Sequence, residues 1–196
     1  MMERLRSNNR QGFTLVELAL VLVIVGLLIT GVLKGEALIQ NAKVKKIVNE
    51  KDSIAAAYYT FFDRYGQLPG DENLPTAPPN DPAGNNGDAD GQIDAAEYGF
   101  LFQDLALAGI INGSYDGTPT SIPTHTFGSW MRVQWVANST GGTIALNANC
   151  MAFNAVPADV AEQIDRKYDD GVYNTGSIRA NTVYTNPAVK LVYWRL

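Results

Sequence analysis

The sequence predicts an α+β fold in which one long N-terminal helix packs against a C-terminal antiparallel sheet with short helices. Three observations predict it. Residues 13–33 form an apolar run broken by a single charge, residues 44–65 carry apolar side chains at helical spacing, and the chain beyond residue 112 alternates turn signals with short β-prone segments.

The apolar run holds 21 residues, with Glu17 as its one charge. At about 1.5 Å per residue such a helix crosses the roughly 30 Å of bilayer hydrocarbon, so residues 13–33 read as a membrane-spanning segment. Residues 1–12 carry Arg4, Arg6 and Arg10 against Glu3 and stop at Gly12, with no small-residue cleavage site after the apolar run. A cut between Gly12 and Phe13 would remove the polar leader and keep the apolar helix. The arginines favour a cytoplasmic N-terminus, which places residues 34–196 outside the cytoplasm as one domain. Glu17 needs a partner, because a bare carboxylate near the end of an apolar helix costs a few kcal/mol. The α-amino group created at Phe13 of a neighbouring chain is a suitable counter-ion.

Gly12-Phe13-Thr14-Leu15-Val16-Glu17-Leu18, followed directly by the apolar run, resembles the cleavage and methylation motif of type IV prepilins and type II secretion pseudopilins. The resemblance implies a pilin-like fold. It also implies that prepilin peptidase cuts after Gly12 and N-methylates Phe13. Glu17 would then pair with a neighbour's terminus during assembly with other copies or related pilins in a helical filament. The partners implied are that peptidase, the pilus assembly machinery and the inner membrane before assembly, with a periplasmic or extracellular filament afterwards. A type IV pilus subunit is the favoured reading and a secretion pseudopilin the alternative. From another class comes a monomeric, membrane-anchored, calcium-dependent adhesin, which would use Trp130, Trp135 or Trp194 as exposed aromatics.

Charge and composition narrow the function further. The net charge is −5 and the leader contributes +2, so removing it leaves −7, which argues against a general nucleic-acid surface. Cys150 is the sole cysteine, so no intrachain disulfide can form, although many pilins carry one. It reads as a small buried apolar residue. His125 is the sole histidine, and neither a Gly-x-Ser-x-Gly nucleophile turn nor a phosphate loop is present. No enzymatic activity is expected.

Past the membrane segment the helical pattern continues. Val44, Ile47, Lys51, Ile54, Tyr58, Phe61 and Tyr65 fall on one stripe, widened by Val48, Ala55 and Phe62, until Gly66 and Pro69 stop it. One helix from about Phe13 to about Tyr65 follows. Gly26, Gly31 and Gly35 weaken its apolar half, and Gly31 with Gly35 makes a small face for close helix contact. Lys43, Lys45, Lys46 and Lys51 read as a solvated face.

Residues 66–85 form a Pro- and Gly-rich connector without periodicity. Asn86-Gly87-Asp88-Ala89-Asp90-Gly91-Gln92-Ile93-Asp94-Ala95-Ala96-Glu97 then fits the twelve-residue calcium loop of EF-hands. Asn86, Asp88, Asp90, Gln92, Asp94 and Glu97 are the expected ligands, Gln92 through its carbonyl, and Gly91 permits the turn. A hard cation wants six to eight oxygens, and short Asx side chains converging from a tight turn supply them. Asn86 in the first place lowers the ligand charge, and no helix leads into the loop. Calcium here would fasten the connector in place of the missing disulfide.

A helix is expected at about 95–108, with Phe100, Leu101, Leu105 and Ala108 on one side and Gly109 ending it. Asn112-Gly113, Asp116-Gly117 and Gly141-Gly142 punctuate expected strands at 130–136 and 143–146. Residues 157–168 read as a short helix with Val160, Ile164 and Tyr168 on one face. Asp169-Asp170-Gly171 closes it as an acidic turn, and residues 183–194 read as the final strand.

Overall fold

The computed structural model describes residues 12, 14–75, 78–82, 86–137, 144–188 and 190–196. The turn predicted at Gly141-Gly142 lies outside them, as do Thr143, Val189 and most of the leader. Helix α1 runs Leu15–Tyr65 without a break. It contains no proline, and it ends where Gly66, at φ +76°, donates its N–H to the Phe62 carbonyl at 2.8 Å.

The chain divides into two compact units, the first ending at Asn41 and the second spanning Ala42–Leu196. In the first, large apolar side chains from Leu15 to Ile39 are exposed along a helix long and apolar enough to cross a membrane. Thr30 satisfies its hydroxyl on the Gly26 carbonyl at 2.9 Å, so it presents no unpaired polar group there.

In the second unit the expected stripe is the spine of the core: Val44, Ile47, Ile54, Tyr58 and Phe61 are buried. Phe61 is fully enclosed, and truncating such a ring typically costs about 3–5 kcal/mol. The stripe widens through Val48 and Ala57, not through Phe62, which is 43% exposed. Lys51 keeps its place on the stripe by laying its ammonium 5.0 Å from the centre of the Trp194 ring, and Lys43 lies 5.7 Å from that of Phe127. These two lysines are therefore not part of a purely solvated face.

Helix α2 spans Tyr98–Leu107, shorter than expected because residues 95–97 are held in a turn. Its buried face centres on Leu101, Phe102, Asp104 and Leu105; Phe100 is only half-buried. Gly109, at φ +67°, ends it. Strands β1 (Met131–Val136), β2 (Ala148–Val156), β3 (Ile178–Ala180) and β4 (Lys190–Arg195) form one antiparallel sheet in the order β1-β2-β4-β3, with helix α3 (Ala158–Tyr168) between β2 and β3.

Two strand expectations are corrected. Residues 144–146 are not a strand; the partner of β1 is β2, which the sequence pattern hides because Cys150, Met151, Ala152 and Phe153 are all buried and do not alternate. A central strand covered on both faces loses the period of two. Met151 and Phe153 join the main core, while Cys150 closes a smaller cluster with Val136 and Leu146. The final strand starts at Lys190; Tyr184, assigned to that strand by sequence, instead turns inward and donates its hydroxyl to Asp165 Oδ2 at 2.6 Å.

Candidate functional site

Two places carry the chemistry singled out in the sequence. At the first, Thr14 precedes α1 and Glu17 is its third residue. The Thr14 N–H donates to Glu17 Oε2 at 2.9 Å, its hydroxyl donates to the same oxygen at 2.8 Å, and the Glu17 N–H donates to Thr14 Oγ1 at 3.2 Å. This is a reciprocal capping box, which satisfies helix-start donors that would otherwise be orphaned in an apolar setting. Thr14-x-x-Glu17 is the signal that could have revealed it. Gly12 is exposed, and Phe13 lies outside the described residues. The carboxylate of Glu17 is held at the helix start, close in sequence to the expected cleavage point.

The second place is the acidic loop. Backbone N–H groups of the loop wrap around Asp71, which comes from the connector: Asp90 and Gly91 donate to its Oδ1 and Oδ2 at 3.1 and 2.8 Å, and Ala89 donates to its carbonyl at 2.9 Å. Glu97 closes the loop from the other end, accepting from Asp94 at 2.9 Å and from Asp88 at 3.4 Å. Asp71, Asp88 and Glu97 each bring a carboxylate oxygen within 4.8 Å of the other two. Burial raises the carboxyl of Asp71 above the usual range and pushes that of Glu97 up to about 7. An all-oxygen donor set of this kind suits a hard cation.

The other sequence-predicted ligands are placed differently. Asp90 accepts from the backbone and side-chain amides of Gln92 at 2.7 and 2.9 Å, and Asp94 accepts from Ala96 at 2.8 Å. The Asn86 side chain donates to the Leu74 carbonyl at 3.2 Å. Asp71 brings a carboxylate to the loop from outside it, and sequence reasoning missed it because it lies fifteen positions before the loop.

The loop is docked firmly. Ile93 is fully buried, its N–H donates to Asn149 Oδ1 at 3.0 Å, and its carbonyl accepts from Trp135 at 2.7 Å. Asn149 in turn donates to Tyr58 Oη at 3.1 Å and to the Gly91 carbonyl at 2.9 Å, tying loop, sheet and α1 together.

Cys150 is fully buried, and burial pushes its thiol up to about 12, an unreactive state. His125 is buried too: Nε2 lies 2.6 Å from the Asn154 carbonyl and Nδ1 accepts from the Phe127 N–H at 3.2 Å, which fixes the neutral Nε2–H tautomer. Of the three tryptophans, Trp130 is faced by the Arg132 guanidinium at 4.4 Å and Trp194 by Lys51, and all three are half-buried.

Residues 7–33 match the family described as Prokaryotic N-terminal methylation motif, the prepilin-type signature of type IV pilins and pseudopilins. The match ends at residue 33 and so covers the motif and the apolar half of α1. Comparison with curated proteins and with solved structures gives no match.

Proposed function

We propose that this chain is a structural subunit of a type IV pilus or pilus-like filament, released from its leader by prepilin peptidase after Gly12 and assembled through its apolar helix. The observation that carries the reading is the prepilin-type signature over residues 7–33 leading directly into a helix whose apolar side chains, Leu15 to Ile39, are exposed. Exposed apolar surface of that extent needs lipid before assembly and other helices afterwards. On this reading Glu17 exchanges part of its capping role for an ion pair with the methylated amino group of Phe13 in a neighbour. The Glu17→Ala chain should insert into the membrane normally and give a filament yield at least ten-fold lower. Unchanged yield in the sheared surface fraction would refute the role.

The acidic loop is read as a calcium staple of the folded domain, held by Asp71, Asp88 and Glu97, with the remaining loop oxygens of Asn86, Asp90, Gln92 and Asp94 available to complete the shell. Isolated loops of this type often bind with a Kd of about 10⁻⁴ M, at which 10 mM calcium adds about 2.7 kcal/mol. Chelation should therefore lower the melting temperature of the full chain in detergent, and Asp88→Asn should remove that share of the calcium response. A melting temperature indifferent to calcium would contradict it.

A further inference from the structure

A second acidic cluster lies outside the loop, and the sequence pattern does not announce it. Glu72 follows Asp71 in the connector, Asp81 comes from the turn beyond it, and Asp104 stands on the buried face of α2. Each offers a carboxylate oxygen within 4.8 Å of the other two. Glu72 and Asp104 are completely buried. Glu72 Oε1, Asp81 Oδ1 and Asp104 Oδ1 are all shielded from solvent and have no hydrogen-bond partner among the described residues.

The remaining oxygens are engaged, which shows that the side chains are held in place. Gly70 donates its N–H to Asp104 Oδ2 at 2.6 Å, and Leu74 donates to Glu72 Oε2 at 2.6 Å. Gly70 can approach because it lacks a Cβ: at φ +85°, a Cβ there would meet the backbone nitrogen of Leu101 at 2.8 Å. None of the ion pairs among the described residues involves Glu72, Asp81 or Asp104. Three carboxyl groups thus converge with three orphaned oxygens and, among the described residues, no ion-paired lysine or arginine.

Buried polar atoms are nearly always satisfied, and buried charge is paired or coordinates a metal. The acidic turn at the end of α3 offers the contrast. Asp165, Asp169 and Asp170 also come within 4.8 Å of one another, but Asp165 accepts from Gly171 and Tyr184, Asp169 from Ile178 and Ser177, and Asp170 from Val172 and Thr175. That group is a hydrogen-bonded turn. Among the described residues the Glu72 cluster has no donor for the second oxygen of Glu72 or of Asp104, nor for Asp81 Oδ1.

We infer that Glu72, Asp81 and Asp104 form a second divalent-cation site, of calcium type, which locks the connector onto helix α2. The orphaned carboxylate oxygens supply the hard, all-oxygen coordination that calcium takes, with backbone carbonyls and water filling the six to eight places. A lysine or arginine from another copy is a poorer occupant, because Glu72 and Asp104 are fully enclosed. The inference is independent of the loop site: Asp71 and Glu72 are consecutive, yet each belongs to a different cluster.

The test is calcium binding to the metal-depleted full chain in detergent micelles, followed by equilibrium dialysis and by thermal melting with and without calcium. Glu72→Gln and Asp104→Asn should each bind one calcium ion fewer per chain than the unaltered protein, while the calcium lost in Asp88→Asn is retained. In chelator, Asp104→Asn should melt at or above the unaltered chain, since it relieves the crowding of three converging carboxyl groups; in saturating calcium the order should reverse. Unchanged calcium stoichiometry in both Glu72→Gln and Asp104→Asn, or the absence of any reversal, would overturn the second site. Loss confined to Asp88→Asn would leave the loop reading standing alone, and loss confined to the Glu72 and Asp104 variants would do the opposite. If Asp104→Asn does not fold, Glu72→Gln, which keeps the acceptor for Leu74, decides the stoichiometry.

Discussion

At the scale of single residues, the polar groups that look functional in sequence divide into those the fold has satisfied and those it has not. His125 belongs to the first kind. Its ring lies edge-on to Phe153, with centroids 5.8 Å apart, and both nitrogens are occupied by backbone groups. Burial lowers its pKa, opposed by the Asn154 carbonyl and the nearby Glu50 carboxylate. The folded value therefore lies below the unfolded one of about 6.5, so the unfolded chain takes up a proton first as pH falls. The contribution of His125 is fully present above that value and is lost as pH drops through it toward the folded value. His125→Phe should cost about 1–3 kcal/mol near neutrality, by leaving the Asn154 carbonyl and the Phe127 N–H unpaired. Denaturant melts of the two chains between pH 7.5 and 5 should converge as the pH falls; a constant gap would contradict the assignment. Glu17 is satisfied by Thr14 in the same way, but its bonds are exposed at a helix end and can be exchanged for a partner.

At the scale of elements, α1 was legible because its signals are local and repeated: an apolar run, a stripe at helical spacing and a glycine stop. The acidic loop was legible as a loop for the same reason, with Gly91 and the spaced Asx residues marking the turn. What was not legible depends on contacts distant in sequence. Strand β2 is buried on both faces and so carries no alternation, and the convergence of Asp71 on the loop depends on a connector without periodicity. Asp104 gave a faint sign, since it lies three residues after Leu101 and four before Ala108, on the side of α2 read as apolar. The glycines of α1 make a prediction at this scale. Apart from the adjoining helix backbone, no described heavy atom lies within 4 Å of where a Cβ would stand at Gly26, Gly31 or Gly35, so a larger side chain there has open space beside it. Gly31→Leu should preserve or slightly raise helicity, by up to about 1 kcal/mol, and should lower filament yield several-fold if the Gly31 and Gly35 face receives a neighbouring helix. Circular dichroism in detergent and the amount of sheared filament measure the two effects separately.

At the scale of the whole molecule, the two units pose opposite physical problems. The first exposes apolar side chains that require lipid or other helices. The second buries acidic side chains, Glu72 and Asp104 completely, outside any ion pair among the described residues. On the proposed function a membrane receives the helix and a filament replaces that membrane, and on the proposed cation sites calcium completes a domain that has no disulfide. The central claim is that the chain is processed and assembled, and it is tested most directly by the intact mass and N-terminal sequence of the protein in the sheared surface fraction of its own host. The account predicts a mature chain that begins at N-methylated Phe13 and is recovered in filaments. A chain beginning at Met1 or Met2 and confined to the membrane fraction would contradict it.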